Sequence, residues 1–309
     1  MVEKRPRVLV LLCTFNGEKF LSQQLNSIFH QKDVEVQVIA NDDGSTDGTV
    51  KILESWELQG LVSKILHTDR VGSTKGFQYL AKTVVTENVD YFAFSDQDDI
   101  WYESKLSKQI DSFRLSDVVM VTSPRDIVDK NGKLIRKSRK FAKDLSWRNA
   151  VIENCAPGNT QLISKQGLLL LQDLPAETKY FDSMAFLFLT TFGKVTVTLD
   201  PVLAYRIHEN NQIGRSMRRN YLQKFFSFFD FLFQAQQFLE FNPDNIPKEM
   251  IGSIETLIGI RPYNLFRMGF PSNIAYRQNF FDNFLFSVYL FFPKAIKNWI
   301  YCRVRSNRK

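Results

Sequence analysis

Residues 95–101 read Ser-Asp-Gln-Asp-Asp-Ile-Trp, so Asp96, Asp98 and Asp99 crowd together directly after the apolar run that ends at Phe94. Carboxylates this close repel one another, and a fold keeps them together when something cationic sits among them. On an extended strand end, residues i and i+2 face the same side about 6–7 Å apart. Asp96 and Asp98 are therefore predicted to converge on one divalent cation while Asp99 turns away. Hard carboxylate oxygens suit Mg2+ or Mn2+, and such an ion bridges in turn to phosphate oxygens of a substrate. The other reading is a solvated acidic turn, or Asp99 as a cap for the helix that begins near Trp101. The position of the cluster at the end of a buried strand favours the cation.

A second polar stretch, Asn41–Gly48, follows another strand and reads Asn-Asp-Asp-Gly-Ser-Thr-Asp-Gly. Gly44 permits an unusual backbone angle, and Ser45 or Thr46 can cap the next helix. The stretch is not the G-x-G-x-x-G dinucleotide fingerprint, and the chain has no Walker lysine motif. Asp42 or Asp43 could accept hydrogen bonds from a base N–H or a ribose hydroxyl. Equally, Asp, Gly, Ser and Thr are what any tight strand-to-helix connection uses.

These stretches need a scaffold that gathers strand ends. Residues 7–15 form a continuous apolar run, as a strand covered on both faces requires, and Leu21, Leu25, Ile28 and Phe29 then recur at helical spacing. Residues 34–40 read as a second strand, followed by a helix carrying Val50, Ile52, Leu53 and Trp56. Residues 61–68 read as a third strand, 72–84 as a loop leading into a helix, and 89–95 as a fourth strand. This β-α-β-α-β-α-β series predicts an α/β fold with a mostly parallel, doubly wound sheet flanked by helices. In such sheets ligands bind outside the carboxyl ends of the strands, and every polar stretch above falls at such an end. From about residue 122 to 150 the chain turns polar and basic, with a hairpin turn over 129–133 and a mobile loop beyond it. Residues 195–208 read as further strand, and everything after about residue 216 as helix.

With 309 residues the chain can bury a core without staples. Its three cysteines, Cys13, Cys155 and Cys302, lie far apart with no C-x-x-C pair, which argues against a disulfide framework or a thiolate metal site and fits a reducing cytoplasm. The first apolar run lacks the cleavage site of a signal peptide, and no stretch reaches the roughly 18–20 apolar residues of a spanning helix. The net charge of +7 is uneven: residues 291–309 carry Lys294, Lys297, Arg303, Arg305, Arg308 and Lys309 and no acid. A basic balance fits nucleic acid, an anionic membrane surface or phosphorylated substrates. The 28 phenylalanines, concentrated in the C-terminal third, favour the lipid surface over nucleic acid.

Taken in order and at their separations, residues 13–31, 41–53, 94–106 and 205–214 resemble the family 2 glycosyltransferases of the GT-A fold. Within that family the likeness is to bacterial enzymes that transfer rhamnose and similar sugars in surface polysaccharide assembly. It spans about residues 7–215 and implies residues 1–215 as a nucleotide-sugar-binding and catalytic domain, with residues 216–309 as a helical extension. The resemblance implies that Cys13, Thr14, Phe15 and Asn16 form the first nucleotide-contact loop, Phe15 lying against the base, and that Asp42 and Asp43 hold base and ribose. It implies Asp96-Gln97-Asp98 as the D-x-D motif that binds Mg2+ or Mn2+ and the sugar nucleotide, and Lys75 as a basic residue near the nucleotide. Asp182 matches the base that deprotonates the acceptor hydroxyl, although Ser183 and Met184 stand where relatives carry aromatics. His208 matches a Y-R-x-H motif, with Asn211 and Gly214 also in place, where imidazole ligates the metal or contacts the diphosphate and Arg206 does the latter. Direct displacement with one base implies inversion at the anomeric carbon.

In the C-terminal region Gln223, Ser227, Asp230, Gln234 and Gln237 recur at helical steps as one narrow polar stripe, so most of that helix must be covered. It packs on protein, or it lies at a membrane interface with the aromatic and cationic tail. The latter would place the enzyme at the cytoplasmic face of the cell membrane, acting on a glycan or lipid-linked glycan acceptor. The alternatives are a non-catalytic sugar-nucleotide-binding scaffold or another magnesium-dependent phosphate-handling enzyme. A nucleotidyltransferase would show a glycine-rich basic loop after the first strand, and a phosphatase of the D-x-D type would carry that motif on the first strand.

Overall fold

The computed structural model describes residues 4–114, 117–138, 141, 144–174, 178–209, 211, 231, 233–240 and 246–259. The strands are β1 (Arg7–Thr14), β2 (Glu35–Asp42), β3 (Val62–His67), β4 (Tyr91–Ser95), β5 (Ile100–Trp101), β6 (Val118–Thr122), β7 (Asp126–Val128), β8 (Leu134–Arg136), β9 (Leu162–Ser164), β10 (Lys194–Val197) and β11 (Leu203–Arg206). The helices are α1 (Leu21–Phe29), α2 (Thr49–Leu58), α3 (Ser73–Thr83), α4 (Lys105–Asp111), α5 (Trp147–Ala150), α6 (Lys165–Gln172), α7 (Phe181–Phe192), α8 (233–240) and α9 (Lys248–Gly259). Two compact units result: Met1–Phe141 with Ala156–Arg215, and Ala142–Cys155 with Ser216–Lys309.

In the first unit a seven-stranded sheet runs β10-β6-β9-β4-β1-β2-β3. The pairs β1/β2, β2/β3, β1/β4 and β6/β10 are parallel, and β9 alone runs against its neighbours. Val8, Val10 and Leu12 on β1 meet Leu21, Leu25 and Ile28 from α1 in the core, which is why both the strand and one helix stripe had to be apolar. Phe94 on β4 packs edge-on against Phe77 of α3 and Phe181 of α7, with ring centroids 5.6 and 4.9 Å away. That aromatic trio seats the first turn of α7 against the end of β4.

The chain after β4 leaves the large sheet for a small one of order β5-β11-β7-β8. β5 and β11 are antiparallel, pairing Ile100 with Ala204 and Trp101 with Leu203. The residues just before Ile100 therefore lie beside those just after Ala204, which brings the acidic stretch to Arg206 and His208. The segment 195–208 thus divides between two sheets. Pro201, which cannot donate to a ladder, sits in the break. The turn over 129–133 is a hairpin as predicted: Asp129 Oδ1 accepts the Asn131 and Lys133 N–H at 2.9 Å, and Gly132 takes φ 83°. Of the loop beyond it, residues 139, 140, 142 and 143 lie outside the described residues.

In the second unit Arg148 pairs with Glu249. Of the predicted polar stripe, Gln223, Ser227 and Asp230 lie outside the described residues, and so does the aromatic and basic tail. Gln234 does not face solvent: it is 1% exposed, whereas Phe233 is 37% exposed. Spacing alone marks a distinct face but not which face is covered. No described helix is long and apolar enough to cross a membrane.

Candidate functional site

The loop after β1 and the loop after β2 are fastened along their lengths. Asn16, at φ 47°, donates its N–H to Ser45 Oγ at 2.9 Å and accepts the Thr46 N–H on Oδ1 at 2.8 Å. Gly17 N–H donates to Thr49 Oγ1 at 2.7 Å, and Glu18 Oε2 accepts the Gly48 N–H at 2.6 Å. Phe15 is held outward by this clamp, 39% exposed as a residue, with the Arg70 guanidinium 5.7 Å from its ring centre. Cys13 is half-buried behind it with its Sγ toward Gly76, and burial followed by the Asp96 and Asp43 charges pushes its thiol well up.

The aspartates separate into two groups once their partners are known. Asp42 is buried, its carboxylate accepting Thr14 Oγ1–H, Ser45 Oγ–H and Ser45 N–H at 2.8, 2.6 and 2.9 Å. Asp43 accepts Thr68 Oγ1–H and the Val71 and Gly72 N–H groups at 2.7–2.8 Å, so it holds the loop after β3. Both were predicted to hold base and ribose; here each carboxylate accepts three hydrogen bonds from the turns around it. Gln97 also turns back into the protein: its Oε1 accepts the Phe15 N–H at 2.8 Å and its Nε2 donates to Phe15 O at 2.9 Å. That fit requires Gly17, where a Cβ would lie 2.1 Å from Gln97 Oε1.

The acidic stretch differs from the extended end that placed Asp96 and Asp98 side by side. β4 stops at Ser95, and residues 96–99 bend back into β5. Asp98 Oδ2 lies 2.8 Å from His208 Nε2, and burial with the Asp99 charge raises its pKa to about 7 against the pull of Arg206. His208 packs on Phe20 and is lowered by burial and then by the Arg206 and Lys19 charges, which favours a neutral imidazole. Asp99 turns inward as expected but becomes a buried anchor, its Oδ2 accepting Asn159 Nδ2–H and its Oδ1 the Arg206 N–H. It is neither a solvated turn residue nor a helix cap. The Asp96 carboxylate has no hydrogen bond among the described residues, and burial followed by the charges of Asp99, Asp98 and Asp182 holds it well above the usual range.

Asp182 in the first turn of α7 accepts the Ser183 N–H on Oδ1 at 2.8 Å and the Gly158 N–H on Oδ2 at 3.3 Å. Consecutive residues thus tie the two acidic elements together: Gly158 holds Asp182 and Asn159 holds Asp99. Asn159 is fixed in turn by Arg125, which donates to its Oδ1 at 2.9 Å and lies 4.1 Å over the Tyr205 ring. Lys105, fully buried, donates to Asn159 O and Gln109 Oε1 at 3.2 and 3.0 Å, and burial lowers its pKa to about 7. Arg206 is 2% exposed and its guanidinium reaches Asp98 O, Lys130 O and Gln23 Oε1 at 2.6–2.9 Å, so it braces the acidic bend where a diphosphate contact was predicted. Asn211 closes the turn after β11 by accepting the His208 N–H, while Gly214 lies outside the described residues. Lys75 is exposed on the first turn of α3. Arg125, Asn159, Lys105 and Gly158 escaped the sequence reading because their partners are 24–60 residues away and no local spacing marks them.

Asp98 and His208 supply one carboxylate and one imidazole donor side by side, with the unengaged Asp96 carboxylate in the same acidic bend. Among the described residues no three such side chains form a preformed cage. This donor set fits Mg2+ or Mn2+, which take few protein ligands and complete their shell with phosphate oxygens and water.

A mostly parallel α/β sheet with an acidic bend after its fourth strand and a histidine brought back beside it defines a GT-A glycosyltransferase. The chain belongs to Glycosyl transferase family 2, whose pattern matches residues 9–178. It is 32% identical over 219 residues to the dTDP-rhamnosyl transferase RfbG of Shigella flexneri, covering 67% of this chain and 74% of that one. It is 24% identical over 166 residues to the UDP-Glc:alpha-D-GlcNAc-diphosphoundecaprenol beta-1,3-glucosyltransferase WfgD of Escherichia coli, covering 52% of this chain and 61% of WfgD. The mannosyltransferase PcManGT from Pyrobaculum calidifontis, solved with GDP-Man and Mn2+, superposes with a TM-score of 0.57 at 16% identity, covering 84% of this chain and 72% of that one. The enzyme transfers a sugar from a nucleotide-sugar donor.

Proposed function

We propose that the enzyme is an inverting, metal-dependent transferase that moves rhamnose from a nucleoside diphosphate to a hydroxyl of a lipid-linked glycan at the cytoplasmic face of the cell membrane. The observation that carries this reading is the 158–159 bridge, which holds Asp182 and the acidic bend in one site. The exposed Phe15 ring, with Arg70 over it, offers a stacking face to the base. Asp98 and His208 would hold the ion, which when bound would neutralise charge on the departing diphosphate. Asp182 takes the proton from the acceptor hydroxyl as that oxygen bonds to the anomeric carbon and the bond to the diphosphate breaks. One base with an in-line attack yields inversion. The likeness to RfbG supports rhamnose, and the likeness to WfgD supports a diphosphate-lipid acceptor.

Incubation with dTDP-rhamnose and other nucleotide sugars, Mn2+ and a synthetic diphosphate-lipid glycan tests this, with the new linkage assigned by NMR. Transfer with inverted configuration is expected, and Asp182→Asn lowers kcat by about 10²–10⁴-fold with donor affinity kept. A retained configuration, or full activity in Asp182→Asn, would overturn the assignment.

A further inference from the structure

We propose that the β7–β8 hairpin is a docking surface for an anionic phospholipid bilayer. β8 is the outer strand of the small sheet, pairing with β7 on one side and with no other strand among the described residues. The run Lys133-Leu134-Ile135-Arg136-Lys137 is exposed throughout, Leu134 and Ile135 at 47% and 48%, and Lys130 at the tip is exposed as well. Of the two acids of the hairpin, Asp126 is buried and Asp129 lies partly exposed at the tip. Asp129 caps its own turn, and Asp126 accepts Tyr102 Oη–H at 2.9 Å and the Ser138 N–H at 2.8 Å. The outward charge of this edge is therefore net positive, with Lys130, Lys133, Arg136 and Lys137 set against Asp129.

Large apolar side chains flanked by cations match the boundary of an anionic bilayer, where Leu and Ile enter between headgroups while Lys and Arg meet lipid phosphates. Another strand is the wrong occupant, since Lys and Arg along an edge oppose strand addition. A nucleic acid would engage the cations and leave Leu134 and Ile135 in water. The hairpin is fastened to the candidate site, because Arg206 donates to Lys130 O and to Asp98 O at 2.8 and 2.9 Å. A bilayer touching β8 meets the chain a short bonded path from the acidic bend. That this serves a lipid-linked acceptor rests on the proposed function, whereas the docking itself does not.

The test is co-sedimentation of the full chain, without substrates, with phosphatidylcholine vesicles containing or lacking phosphatidylglycerol. Binding to the anionic vesicles alone, weakened by added salt, is expected. Arg136→Ala with Lys137→Ala lowers the partition about 25-fold, at roughly fivefold per cation removed. Ile135→Trp gains fluorescence that brominated lipid quenches, and circular dichroism melts establish that each variant is folded. Variants that partition like the parent, an unquenched Ile135→Trp, or no preference for anionic vesicles would overturn the proposal. So would Leu134→Ser with Ile135→Ser changing self-association in sedimentation velocity but not vesicle binding, which would make the edge a contact between two copies.

Discussion

Gly17→Ala isolates the brace between the strand-one loop and the acidic bend. Gly17 does not lie in the left-handed region, so alanine suits its backbone and the whole effect comes from the added methyl. That carbon would lie 2.1 Å from Gln97 Oε1 and 2.4 Å from its Cδ. Gln97 must swing away, and both of its bonds to the Phe15 backbone are lost. At about 1 kcal/mol net for each hydrogen bond the loss is ~2 kcal/mol, which lowers the melting temperature by about 4–8 °C at 2–4 °C per kcal/mol. Gln97→Ala removes the same two bonds, so the double variant is expected to melt close to either single variant, with a coupling energy of about 2 kcal/mol. Calorimetric melts of the four proteins measure this, and donor KM is expected to rise as Phe15 loses its support. A Gly17→Ala protein that melts with the parent, or a double variant whose loss is the sum of the singles, would refute the reasoning.

Asp98→Ala is expected to abolish Mn2+-dependent donor binding in titration calorimetry; unchanged affinity would remove the metal site. Asn159→Ala leaves the buried Asp99 and Arg125 without their shared partner and should cost about 1–3 kcal/mol in urea unfolding. It should also lower kcat, because Asp182 and the acidic bend lose their common anchor. Burial depresses Lys105 from the ordinary 10.5 to about 7, so between those values the unfolded chain binds more protons and stability rises with pH. Falling pH loses that contribution toward 7, and Lys105→Met should flatten the slope of melting temperature over pH 7–10; an unchanged slope would mean that Lys105 stays charged in the fold.

The alternating periods of the first hundred residues predicted the parallel sheet correctly because a doubly covered strand and a one-sided helix each leave a distinct apolar pattern. Turn chemistry predicted the 129–133 hairpin for the same local reason. The acidic stretch stood out because three carboxylates at a strand end are costly without a purpose. Sequence could not rank those carboxylates. Asp42 bonds to Thr14 of β1 and to its own turn, Asp43 and Asp99 bond to distant segments, Asp96 has no such partner among the described residues, and Asp98 faces a histidine 110 residues away.

From sequence alone come the fold class and the strand ends where chemistry is gathered, since these follow from periodicity and from residue types read over short windows; the family came from the resemblance of four stretches to known enzymes. Tertiary structure alone decided that Arg206 is a buried brace, that Gln97 needs Gly17, and that residues 158–159 join the base candidate to the acidic bend. Each depends on which side chain meets which across a long loop, and hydrogen-bond partners at that range leave no periodic trace in the chain.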